Sequence, residues 1–139
     1  MKVVNPYLIE ILLEPFLFLD DDEKNELSII GPDSEGEIRK VFKNLIVPYF
    51  SSIDEKNRED IKMSFGFYLE NNKEALVGML GSSHCPLPDL DPPVRVFEIL
   101  WDELFEKEVR NGYQIENFSV NSDFAAPNSI RRGWLRISH

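Results

Sequence analysis

Asp20-Asp21-Asp22-Glu23 places four carboxylates in succession, a supply of the hard oxygen ligands from which Ca2+ and Mg2+ sites are built. The spacing does not fit an EF-hand loop, which needs a glycine at its sixth position and a glutamate at its twelfth. The run is therefore expected to be a solvated acidic face at the end of a helix, with no metal bound. His84 beside Cys85 supplies a thiol and an imidazole, the components of cysteine catalysis. Adjacent side chains point apart in extended backbone, and the other histidine, His139, is far along the chain, so no dyad is expected. One cysteine and two histidines also fall short of a four-ligand zinc site. Four acid pairs lie four residues apart: Glu10 and Glu14, Glu55 and Glu59, Glu70 and Glu74, Asp102 and Glu106. On a helix each pair shares a face and, if buried, would split into an acid and a base. Solvent-facing charge is the expectation instead. No glycine-rich phosphate loop, dinucleotide fingerprint, serine nucleophile elbow or kinase signature occurs. No catalytic residue, cofactor or metal is assigned, and the chain is expected not to be an enzyme.

Charge says more than any motif. Twenty-five Asp and Glu oppose fifteen Lys and Arg across 139 residues, a net charge of -10. Residues 130–139 hold Arg131, Arg132 and Arg136 and no acid, so the rest of the chain carries -13. Such a surface repels nucleic acid and anionic membrane and attracts basic partners. Hydrophobic residues make up 42 %, with ten Phe, four Tyr and two Trp, which a disordered acidic tail would lack. The length suits a single domain over 1–139. A lone cysteine suits a reducing interior, and the start, with Glu10 and Glu14 interrupting its apolar stretch, does not read as a signal peptide. No run approaches the roughly 20 apolar residues of a membrane span. The cytoplasm is the expected location.

The elements that must carry these groups are mainly helical. Residues 6–19 are densely apolar and predict a short buried helix broken near Pro15. Leu27-Ser28-Ile29-Ile30 fits either a short strand or a helix end. Ser34 to Glu37 has the spacing of a capping box, ahead of an apolar face at Ile38, Val41, Phe42, Leu45, Ile46, Tyr49 and Phe50, with Pro48 straining only the last turn. A second start lies at Ser51 to Glu55. Residues 61–69 match both the helical and the strand period, and the helix formers ahead of them favour helix in spite of Gly66. Glu74 to Leu80 is a further short helix ending at Gly81. After a proline-rich connection, Asp91 and Pro92 open the clearest amphipathic helix, whose stripe of Val94, Phe97, Leu100, Trp101, Leu104 and Phe105 is expected to be core and whose end is expected near Gly112. Alternation over 113–120 and at Gly133 to Ile137 suggests a small C-terminal β-hairpin, and α+β is the alternative class.

Size, acidity and the acid-flanked apolar helix from Pro92 to Glu108 make the chain similar in type to the immunity proteins of bacterial contact-dependent inhibition and polymorphic toxin systems. That resemblance implies a binding protein that occludes the active site of a basic toxin domain, a nuclease whose cleft is positive because its substrate is polyanionic. The expected contacts are Asp20, Asp21, Asp22, Glu23, Asp102, Glu103 and Glu106. The alternatives are a cytoplasmic protein-protein adaptor that uses an apolar groove and, ranked last, a metal-dependent hydrolase.

Overall fold

The computed structural model describes residues 2–31, 34–82, 86–87, 90–110 and 112–123. It is a mainly helical single domain with one small sheet. Strand β1 (Lys2–Val4) is followed by α1 (Pro6–Glu10), which runs on as a 3-10 helix over Ile11–Phe18. Asn5 caps α1 by accepting from the Tyr7 amide at 2.9 Å, and Pro6 takes the first helical position, where an amide is not needed. Pro15 does not break this segment: the tighter 3-10 turn carries it inside, and Ile11, Leu12, Leu13, Pro15 and Phe16 are all buried.

Helix α2 (Asp21–Ser28) comes next. A longer helical rod follows, made of α3 (Glu35–Val41), a π turn over Phe42–Ile46 and α4 (Val47–Ser52). The expected face is buried as Ile38, Phe42, Ile46 and Phe50. Two local expectations need correction. Ser34 makes no side-chain cap, because its backbone (φ -94°, ψ 58°) leaves the extended region from which a hydroxyl reaches the first turn. Pro48 is felt a turn earlier than expected: the Val47 amide donates to Phe42 O, widening the ladder just ahead of a residue that cannot donate.

Helix α5 (Glu55–Asn71) is capped by Asp54 and packs on α1 and β1. Residues 64–69 are buried on every side, which is why helical and strand periods both fitted them. Gly66 has a specific reason to be glycine: a Cβ there would lie 2.4 Å from Tyr113 Cζ. Tyr113 lies across α5 at that point and stacks on Phe118 at 5.9 Å, and burial, foremost, raises its hydroxyl pKa. Helix α6 (Lys73–Ser82) packs on α5.

Helix α7 (Arg95–Phe105) is shorter than its stripe suggested. Residues 91–94 form a turn, with the Arg95 amide bonded to Pro92 O. At the other end Glu106 (φ 51°) and Lys107 (φ 62°) take left-handed backbone, reversing the chain well before Gly112. The reversal is held by Trp101 Nε1, which donates to Glu108 O at 2.8 Å. The stripe is core as expected: Phe97 and Trp101 are buried, and edge-on rings link Phe65 to Phe97 and Trp101.

Strand β2 (Phe118–Val120) pairs in parallel with β1, Lys2 opposite Phe118 and Val4 opposite Val120. The strand expected within 113–120 thus exists but pairs with the start of the chain, while Gly133 to Ile137 lies outside the described residues. Buried Asn5 ties the sheet to the helices, its amide donating to Ser64 Oγ at 3.0 Å and its side chain to Asp123 O at 3.0 Å. No helix among the described residues is long and apolar enough to cross a membrane.

Candidate partner-binding face

The acidic run turns out to start a helix. Asp20 Oδ1 accepts from the Glu23 amide at 2.7 Å, and Glu23 Oε1 accepts from the Asp20 amide at 3.2 Å, a reciprocal capping box that opens α2. Asp21, Asp22 and Glu23 then occupy the first turn, where the positive end of the helix dipole favours anions. All four side chains are exposed, as is Glu26. Among the described residues none of these five carboxylates pairs with a cation. Among the described residues their charge faces solvent, where ionic screening limits its reach.

Beside them runs a groove of about 510 Å³ between α2 and the α3 rod. Leu19, Leu27, Val41 and Leu45 supply its apolar surface, with Glu23, Glu26, Glu37, Lys40 and Asn44 completing the lining. Lys40 pairs with Glu37 at 3.4 Å in the open, an interaction of little net strength. The segments on either side of α2 add apolar surface in water: Phe18 is 69 % exposed and Ile29 82 %.

The acids of α7 have a different fate. Arg39, on α3, reaches Asp102 at 3.3 Å, Glu103 at 3.2 Å and Glu35 at 3.4 Å, and Arg95 also holds Glu35. Burial works against the Arg39 charge, but hydrogen bonds to Glu103 and Asp102 outweigh it and raise its pKa. The hydrogen bond from Arg95 is the main cause that holds the Glu35 carboxyl below its usual value, against some desolvation. Asp102 and Glu103 thus fasten α7 to α3, whereas Glu106 is exposed at the left-handed end of α7. Helix α3 stands between the two groups, Glu37, Lys40 and Val41 facing α2 and Arg39 facing α7. Of the seven expected contacts, the four at the start of α2 form one exposed row with no cation partner among the described residues, Asp102 and Glu103 are committed within the fold, and Glu106 stands apart.

The remaining groups offer less. Glu14 accepts from Tyr49 Oη at 3.2 Å, and Glu70 is paired with Arg110. A smaller cleft of about 220 Å³ brings Glu55, Arg58, Glu59 and Lys62 together with Phe50 and Phe105. Arg58 Nε is buried there without an acceptor, but two acids beside two bases leave the lining with no net charge. No group of three or more His, Cys, Asp or Glu with metal-binding geometry occurs among the described residues. His84, Cys85, His139 and the arginines at 131, 132 and 136 lie outside them. Sequence reasoning missed the apolar wall of the groove and Glu26; the available signal was Leu19 and Leu27 bracketing the acids, with Val41 and Leu45 one turn apart. Compared with known proteins, the chain matches no family model, no curated protein and no solved structure.

Proposed function

We propose that this chain is a non-catalytic binding protein that occludes a basic protein domain, the role of an immunity protein against a toxin nuclease, and that it acts in the cytoplasm. The observation that carries the reading is the row of exposed carboxylates at the start of α2, unpaired among the described residues, alongside a chain charge of -10. A nuclease cleft is cationic because it binds a polyanion, so the same charges that admit its substrate attract this acidic surface. Steering of this kind raises association rates by about 10- to 1,000-fold. Inhibition then follows from exclusion of the substrate, with no bond made or broken. The reading is tested by mixing the purified chain with any basic nuclease domain encoded in a neighbouring reading frame. Expected are a one-to-one complex by calorimetry and loss of nucleic-acid cleavage. Absence of affinity at low salt refutes it, and thermal stabilisation by Mg2+ or Mn2+ with hydrolytic activity of the chain itself would replace it with metal-dependent hydrolysis.

A further inference from the structure

We propose, resting on the acidic-binding reading, that the groove between α2 and α3 takes an amphipathic basic helix of the partner, with its apolar stripe on Leu19, Leu27, Val41 and Leu45 and its cations toward Glu23 and Glu26. The groove is open to solvent along its length, with a volume of about 510 Å³. Charge selects the occupant. The lining holds three carboxylates against one ammonium, and Asp21 and Asp22 lie exposed on the same helix. A second copy of the chain would bring its own net charge of -10 against these acids, and nucleic acid would be repelled likewise.

Backbone chemistry selects the form. The groove is walled by helices, while the one described sheet joins β1 to β2, so an extended segment in the groove would find no strand edge for its amides and carbonyls. A helix satisfies its own backbone and offers apolar side chains at i, i+3, i+4 and i+7, the spacing that fits between two helices.

The test uses the full chain and a fluorescein-labelled peptide of about 18 residues, long enough for roughly five helical turns. It contains only Leu and Lys, with Leu on one helical face; a scrambled peptide of identical composition is the control. Fluorescence anisotropy is expected to show the amphipathic peptide binding about tenfold more tightly than the scrambled one, a difference of about 1.4 kcal/mol. Leu27→Lys, at a half-buried position, should erase that preference, and Glu26→Lys, at an exposed position, should weaken binding a few-fold, mainly through the association rate. Equal binding of the two peptides, or indifference to both substitutions, overturns the groove while leaving charge-driven binding intact. Failure of both peptides and of the basic domain removes both readings. A dimer in sedimentation that Leu27→Lys dissociates would assign the groove to a second copy and also overturn the proposal.

Discussion

Gly66→Ala should destabilise this protein although it places a better helix former in the interior of helix α5. Taken alone, the exchange favours the helix by about 1 kcal/mol. The new methyl group, however, would lie 2.4 Å from Tyr113 Cζ and 2.7 Å from its hydroxyl oxygen, far inside the roughly 3.5–4 Å of ordinary carbon contact. A few tenths of an ångström of adjustment cannot relieve that overlap, so the ring must leave its seat. Overpacking of this kind costs about 1–3 kcal/mol. Losing the stack on Phe118 adds about 0.5–1.5 kcal/mol. The net expectation is a loss of about 2 kcal/mol, which lowers Tm by roughly 6–8 °C for a chain of this size. Urea titration monitored by tryptophan fluorescence reads the difference, since Trp101 is buried in the core. The same exchange in a Tyr113→Ala background removes the obstacle, and there Gly66→Ala should become stabilising by up to about 1 kcal/mol. A stabilising Gly66→Ala in the native background, or an equal cost in both backgrounds, would refute the assignment of Gly66 to the passage of Tyr113.

Three further substitutions probe the elements around the acidic face. Asp20→Ala removes the cap of α2 and should cost about 1 kcal/mol locally, seen as faster hydrogen exchange of the Glu23 and Lys24 amides with the α5 amides unchanged. Because Arg95 lowers the Glu35 pKa, this group's contribution to stability is complete above its ordinary value of about 4.5 and is lost as pH falls through the lower folded value. Glu35→Gln should therefore flatten the fall in urea midpoint between about pH 5 and pH 3, and an unchanged profile would count against that ion pair. Arg39→Met leaves Asp102 and Glu103 side by side without their cation, and a loss of about 1–2 kcal/mol, smaller at high salt, is expected from urea midpoints at two ionic strengths.

What was legible in the sequence follows from what each segment depends on. The stripe of α7 and the face of the α3 rod declare themselves because one side of each is apolar at helical spacing, and the structure buries Phe97, Trp101, Ile38, Phe42 and Ile46 accordingly. Helix α2 was not declared, since Leu27 is its one apolar residue and its capping box, not an apolar face, sets its start. The far end of α7 was hidden for a tertiary reason: the Trp101 indole claims Glu108 O, and Glu106 and Lys107 take left-handed backbone that no propensity favours. Strand β1 is three residues long, and its partner is more than a hundred residues away, a pairing that local patterns do not carry. The candidate face was half visible in the same way. Composition gives the acidity, but which acids remain available depends on Arg39, more than sixty residues from Asp102 and Glu103 in the chain.

The central claim, that the open carboxylates of α2 recruit a basic partner, is tested most directly by the association rate constant of the chain with a basic nuclease domain across ionic strength. For the native chain the rate should fall by about 10- to 100-fold between roughly 0.02 M and 0.5 M salt. The Asp21→Lys, Asp22→Lys double substitution should start low at low salt and converge with the native rate at high salt. A rate that ignores both salt and the double substitution would contradict the account.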